Sequence, residues 1–240
     1  MNIVITGASK GLGKAIAEAF AQDKKRHHFF LCARNKTELE MTASDLKDRY
    51  PENNIHTKTC DVADKNALQE FVSWIKEHAT NIDILVNNAG IYLPGNAAGE
   101  DDGMLEKLMQ VNTYSAYHLT RMILPDMIAA NASTGSAGHI FNICSIASLI
   151  AYPNGGAYSI SKFAMYGFSK NLREEMKPHG IKVTHVLPGA AYTDSWSGSG
   201  IDPKRIMEAA DIAKMVYAAA HLSAQACVEE IILRPQLGDL

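Results

Sequence analysis

Seven short apolar runs, at positions 3–6, 29–33, 55–60, 82–86, 139–143, 181–187 and 229–234, alternate with longer stretches of helical periodicity. Strands that are apolar on both faces need cover on both faces, and a parallel sheet with crossover helices above and below it supplies that cover. The helical stretches fall at about 14–22, 36–50, from the acidic run at 61–64 to about 78, 104–130, 158–176 and 209–222. The expected fold class is therefore α/β: a doubly wound parallel sheet of about seven strands, helices on both faces, every crossover right-handed. No Pro- or Ser-rich linker, repeat or low-complexity tract interrupts the 240 residues, so 1–240 are expected to form a single domain.

With 47% hydrophobic and 20% charged residues, a chain of this length can bury a sizeable core and reads as soluble and globular. A net charge of -3 gives no general attraction to nucleic acid or to an acidic membrane. The basic run from Lys24 to His28 is read as a solvated helix end. The first residues enter a strand pattern with no charged n-region, apolar h-region or cleavage site, so export is not expected and a cytoplasmic location is. Cys32, Cys60, Cys144 and Cys227 lie far apart with no Cys-x-x-Cys pair, and the nine His are equally scattered. No disulfide framework and no metal site is expected.

The first strand runs into Gly7-Ala8-Ser9-Lys10-Gly11-Leu12-Gly13 and then a helix. Such a turn lets backbone amides approach a phosphate closely, and the helix N-terminus adds partial positive charge. Its Gly-x-x-x-Gly-x-Gly spacing departs from the Gly-x-Gly-x-x-Gly dinucleotide fingerprint, so its place after the first strand carries the phosphate reading. At the end of the second strand Ala33 stands about where an acid would accept the ribose hydroxyls of NAD, and Arg34 follows, with Asn35 next. Arg34 and Lys10 offer two cations to the extra phosphate of NADP. One of Asp61 and Asp64 is expected to cap the third helix. Asp61, with Val62 beside it, is also a candidate to meet an adenine.

The fifth strand delivers Ser145 to the carboxyl edge of the sheet, where open α/β folds bind ligands. After a Gly-rich turn, Tyr158 and Lys162 stand at i and i+4, on one helix face. Free tyrosine, with a pKa near ~10, is a poor acid–base catalyst at neutral pH. A neighbouring Lys162 cation is expected to bring that pKa down. Asn112 sits inside the 104–130 helical pattern as either an ordinary exposed residue or a kink that reaches the site. The Gly/Ser-rich segment at about 190–208, with Thr193, Ser195, Trp196, Gly198 and Gly200, is poor in regular structure. It reads equally as a substrate lid and as an exposed loop with Trp196 folded onto the body.

Taken in order, the 6–13 glycine turn, Asn87-Asn88-Ala89-Gly90, Asn112, Ser145, Tyr158 with Lys162, and Pro188-Gly189 with Thr193 resemble the short-chain dehydrogenase/reductase family across essentially the whole chain. That resemblance implies a Rossmann fold binding NADP(H) and an enzyme acting on a small carbonyl or alcohol. It casts Tyr158 as proton donor in reduction and Ser145 as holder of the substrate oxygen. Lys162 binds nicotinamide ribose, and Asn112 anchors a water in the proton relay. The cofactor residues it implies are Gly7, Ser9, Lys10, Gly11, Leu12 and Gly13; Arg34 and Asn35; Asp61 and Val62; Asn88, Ala89 and Gly90; and Pro188, Gly189 and Thr193, with Tyr158 and Lys162. It implies a homodimer or homotetramer joined through the two long helices.

At finer grain, 139–141, 188–196, 228–235 and the Gly238-Asp239 ending look like bacterial sepiapterin reductases. A pterin wants a carboxylate for its amino-pyrimidine edge, and Asp194, Asp202, Glu100 and Asp239 are the candidates. The leading expectation is NADPH-dependent reduction of a small ketone or diketone, sepiapterin-like first. The alternatives are reduction of 3-oxoacyl thioesters, and a non-catalytic regulator that senses NADP.

Overall fold

The computed structural model describes residues 1–135, 138–193 and 200–240. Its sheet comprises β1 (Asn2–Thr6), β2 (His28–Ala33), β3 (Asn54–Thr59), β4 (Ile84–Asn87), β5 (His139–Ile143), β6 (Lys182–Pro188) and β9 (Glu230–Leu233). The spatial order is β3-β2-β1-β4-β5-β6-β9, with every pair parallel. The order reverses between β1 and β4, which opens a crevice at the carboxyl ends of those strands.

Alternation along each strand feeds two separate core layers. On one face Ile3, Ile5, Phe29 and Leu31 meet Ile16 and Phe20 of α1 (Gly11–Ala21), Leu39 and Leu46 of α2 (Lys36–Arg49), and Ile212 and Val216 of α7 (Ala209–Ala220). On the other, Val4, Phe30, Leu85 and Val183 meet Leu68 and Phe71 of α3 (Lys65–His78), Leu119 and Ile123 of α5 (Ser115–Thr134), and Leu172 of α6 (Gly156–Met176). The doubly wound arrangement expected from the apolar runs is the one observed.

Three elements differ from expectation. The helix expected over 104–130 is two, α4 (Met104–Met109) and α5, joined by a π turn at Gln110–Tyr114, while Pro125 sits inside α5 without ending it. The first helix starts at Gly11, within the glycine turn. The segment expected to lack regular structure holds β7 (Ala191–Tyr192) paired with β8 (Met207–Glu208), and the Met207 amide donates to the Ala190 carbonyl at 3.1 Å. A single backbone bridge across a Gly/Ser-rich stretch leaves no periodicity to read.

Polar groups inside the sheet lock its centre. The Asn87 amide donates to Thr120 Oγ1 at 2.9 Å and to Asn142 Oδ1 at 2.8 Å, and Asn142 Nδ2 donates to Ser169 Oγ at 2.7 Å. This chain ties β4, β5, α5 and α6 together, and buried amides are tolerated because each is bonded. Among the described residues, no helix is long and apolar enough to cross a membrane.

Candidate active site

The glycine turn is built by close approach. Gly7 and Gly11 have φ of +64° and +55°, which a side chain would strain. A Cβ on Gly13 would stand 2.4 Å from the Gly7 carbonyl oxygen and 2.6 Å from Asn88 Nδ2. The loop after β4 is stitched to this turn: Asn88 Nδ2 donates to the Thr6 and Gly7 carbonyls at 2.8 and 3.1 Å, and Thr6 Oγ1 accepts from the amides of Asn88 and Ala89 at 3.1 and 3.0 Å. The Ser9 carbonyl accepts from Thr42 Oγ1 at 2.6 Å, and Leu12 packs on the core. The result is a narrow backbone cradle at the amino end of α1, whose N-cap residue, Lys10, brings no side-chain hydrogen bond to the helix amides. Such amides suit a phosphate.

At the end of β2, Arg34 is exposed. Its neighbours have local duties. Asn35 caps α2, accepting from the Glu38 amide at 3.2 Å, and Lys10 Nζ lies 3.5 Å from Glu38 Oε1. Asp64 caps α3, accepting from the Asn66 amide at 2.8 Å, while Asp61 is exposed and accepts from the Ala63 amide at 3.0 Å; Val62 is buried.

The second half of the site comes from β5 and α6. Ser145 follows β5 in extended backbone, caps the 3-10 turn Ile146–Ser148 by accepting from the Ala147 amide at 3.1 Å, and lies near enough to the Tyr158 hydroxyl to favour its ionised form. Tyr158 lies in the first turn of α6. That turn can start only at a glycine: Gly156 has φ +39°, and a Cβ there would lie 1.9 Å from Glu100 Oε1. Glu100 itself caps α6, accepting from the Ala157 amide at 2.8 Å. Lys162 is 5% exposed and donates to the Ile143 carbonyl at 3.0 Å, its ammonium 5.9 Å from the Tyr158 ring centroid.

Asn112 is buried and lies within the π turn between α4 and α5. Its Oδ1 accepts from the Ile91 amide at 2.8 Å, while Nδ2 donates to the Ile91 carbonyl and to Ser161 Oγ, each at 3.0 Å. A Cβ on Gly90 would lie 3.3 Å from Asn112 Oδ1 and 3.5 Å from Lys162 Nζ, so the loop after β4, the π turn and α6 meet at one point. Pro188 ends β6, and the Gly189 amide donates to the Leu233 carbonyl at 2.8 Å. Thr193 returns to the glycine turn, its Cβ and Cγ2 3.4 Å from where a Gly11 Cβ would stand.

The expected lowering of the Tyr158 pKa is not what the structure shows. Burial raises the phenol above its ordinary value, the Ser145 hydrogen bond opposes that rise, and the nearby Cys144 thiol adds to it. Burial in turn lowers Lys162, whose ammonium is turned to the Ile143 carbonyl rather than to the phenol. Spacing of i and i+4 brought the two residues to one face, but it said nothing of desolvation.

Of the four candidate carboxylates, Glu100 and Asp202 serve as caps, Asp202 accepting from the Lys204 amide at 2.9 Å. Asp239 pairs with Arg234, and its Oδ1 is buried without a partner, 3.0 Å from where a Gly189 Cβ would stand. Asp194, Ser195, Trp196 and Gly198 lie outside the described residues. Sequence reasoning missed Glu100 as the α6 cap and Tyr92, whose ring meets that of Tyr158 at 4.8 Å and 89°. The first had no local signal, its partner being 57 residues away. The second was detectable, since Tyr92 follows the Asn-Asn-Ala-Gly turn by two residues.

Comparison with known proteins matches residues 1–203 to the family described as short chain dehydrogenase. A sepiapterin reductase of Chlorobaculum tepidum is 31% identical over 242 aligned residues, covering 99% of this chain and 97% of that one. Among solved structures, an alcohol dehydrogenase of the archaeon Thermococcus sibiricus complexed with 5-hydroxy-NADP superposes with a TM-score of 0.87 at 26% identity, over 98% of this chain and 96% of the other. L-Sorbose reductase of Gluconobacter frateurii, complexed with NADPH and L-sorbose, superposes with a TM-score of 0.85 at 26% identity, over 97% and 94%.

Proposed function

The chain belongs to the short-chain dehydrogenase family, and on that premise we propose that it is an NADPH-dependent reductase of a small ketone or diketone, with a sepiapterin-like side chain as the first substrate to try. One observation carries the reading: a half-buried Tyr158 has the Lys162 ammonium 5.9 Å from its ring, and the loop after β4 that meets Lys162 at Gly90 is packed, at Asn88 and Ala89, on the glycine turn. The cradle fits a dinucleotide phosphate, because Gly7 and Gly13 pack too closely on the loop after β4 to carry side chains, and the first amides of α1 have no side-chain cap. Gly7, Ser9, Lys10, Gly11, Leu12 and Gly13 would hold the pyrophosphate, Arg34 the 2′-phosphate, Asn88 to Gly90 the ribose, and Pro188, Gly189 and Thr193 the carboxamide. When bound, NADPH supplies the hydride.

The protein's own residues do the rest. Ser145 holds the carbonyl oxygen in line with Tyr158, whose phenol gives up its proton as the oxygen gains charge. Lys162, held by the Ile143 carbonyl with its ammonium 5.9 Å from the Tyr158 ring, is the cation available to the phenolate that results. Asn112 holds Ile91 by both backbone groups, which fixes the loop that closes the site.

The NADP complexes of the structural neighbours and the exposed Arg34 support the choice of cofactor. The relative that is a sepiapterin reductase supports a pterin-like substrate. A 3-oxoacyl thioester on an acidic carrier is less well served. Arg205, one of two basic residues near the loop, gives its guanidinium to the carbonyls of Gly238, Leu237 and Asp239 at 3.0, 3.3 and 3.2 Å. The reading includes one dinucleotide-binding domain over 1–240 working in the cytoplasm. It also includes a homodimer or homotetramer through α5 and α6, whose outer faces expose Tyr117, Ile160 and Phe163.

Purified protein is expected to consume NADPH with sepiapterin or a small diketone faster than with a 3-oxoacyl thioester, followed by loss of absorbance. Tight NADPH binding with no consumption on any of the three would replace this reading with that of an NADP-sensing regulator.

A further inference from the structure

Resting on the reductase reading, a second tyrosine bears on which carbonyls the site accepts. Tyr92 meets Tyr158 edge to face, ring centroids 4.8 Å apart and planes at 89°. Its backbone is held on both sides. Ile91, just before it, gives its amide and its carbonyl to Asn112 at 2.8 and 3.0 Å. Further along, the Gly95 amide donates to the Asn154 carbonyl at 3.1 Å, and Glu100 anchors the strap to the Ala157 amide at 2.8 Å. A residue so fixed is not a loop tip that swings clear. Yet Tyr92 keeps 45% of its surface exposed, where a large apolar ring in a loop has no core to serve.

Tyr152 stands close enough to Tyr92 and Tyr158 for their phenols to bear on its own. Burial and the two neighbouring phenols hold the Tyr152 hydroxyl well above its ordinary pKa, so it stays a neutral donor. Among the described residues, Ile150 in the loop after β5 and Tyr192 in β7 after β6 are each 44% exposed. A carbonyl oxygen hydrogen-bonded to Tyr158 sits about 2.7 Å from its hydroxyl. The substituents on that carbonyl must then lie against whatever flanks Tyr158, and Tyr92 flanks it.

We propose that Tyr92 is a specificity-determining residue of this site, offering its ring to a carbonyl substrate whose non-reacting part is flat and unsaturated. Aromatic rings recognise one another in edge-to-face or offset geometry beyond the area they bury. An aliphatic chain on the same carbonyl gains only the area. Tyr92 also fixes the plane of Tyr158, and that contribution is shared by every substrate.

The test compares 1-phenyl-1,2-propanedione with 2,3-hexanedione, both with NADPH, in the wild type, Tyr92→Phe and Tyr92→Leu. Taking the ratio of the two kcat/KM values cancels any common loss from a displaced Tyr158. The wild type is expected to favour the aryl diketone roughly threefold to tenfold. Tyr92→Phe is expected to keep that preference, since it keeps the ring. Tyr92→Leu is expected to lose it, through a raised KM for the aryl diketone alone. An unchanged ratio in Tyr92→Leu, or no aryl preference in the wild type, overturns the assignment of Tyr92 while the reductase reading stands. Wild-type protein that binds NADPH and turns over neither diketone overturns the reductase reading, and the role of Tyr92 falls with it.

Discussion

Tyr158→Phe is expected to lower kcat for carbonyl reduction about 10²–10⁴-fold, the range in which a positioned proton donor contributes, and to leave NADPH affinity unchanged. The substitution removes only the hydroxyl. The ring remains in place against Tyr92, and Lys162 remains bonded to the Ile143 carbonyl. In the proposed reaction the lost atom is the one from which the substrate oxygen takes its proton. Stopped-flow reduction beside a fluorescence titration of NADPH separates the two quantities. Retention of full activity would show that the proton comes from elsewhere.

The pH profile adds a check with a definite sign. Reduction consumes the Tyr158 proton, so it needs the phenol. Burial raises the pKa of that phenol, so it stays protonated through neutral pH. Reduction should therefore be level through neutral pH and fall as pH rises through the Tyr158 pKa. Oxidation of the matching alcohol, which needs the phenolate, should rise in the same alkaline window. The Tyr158→Phe variant should lose that limb from both directions.

Arg34→Asp is expected to weaken NADPH about 100-fold while changing NADH little, as a charge-assisted contact is replaced by like-charge repulsion. The expectation follows from what surrounds Arg34. Asn35 is occupied by the α2 cap, and Lys10 shares Glu38 at 3.5 Å. Arg34, exposed at the end of β2, is then the main recognition element for the 2′-phosphate. Because the site is open to water, the difference should shrink as salt is added. Titration of both cofactors at low and high ionic strength measures it, and an unchanged preference for NADPH would remove Arg34 from the cofactor site.

Most of the architecture was legible because it depends on periodicity. Ile3 and Ile5 feed one layer while Val4 feeds the other, and continuous apolar runs announce that two-sided burial. The glycine turn was legible too, because the +64° φ of Gly7 favours glycine and the crowding at Gly13 leaves no room for a side chain. What stayed hidden was decided by partners far along the chain. Asn112 sits in the middle of a π turn in a stretch with helical periodicity throughout, and the residues it bonds are Ile91 and Ser161. Asn142 reads as a polar break in a strand but is fully buried, because Asn87 and Ser169 satisfy it. The direction of the Tyr158 pKa depended on burial, which an i, i+4 spacing does not contain.

The central claim is that this chain passes hydride from NADPH to a carbonyl carbon and a proton from Tyr158 to its oxygen. The most direct test is a single turnover with NADPH carrying transferable deuterium on its nicotinamide ring, and a small diketone, with mass analysis of the alcohol. The expected result is alcohol bearing deuterium on the carbinol carbon, formed as NADPH is lost, and none in the same time from Tyr158→Phe. Unlabelled alcohol, or labelled alcohol formed equally fast by Tyr158→Phe, would contradict the account.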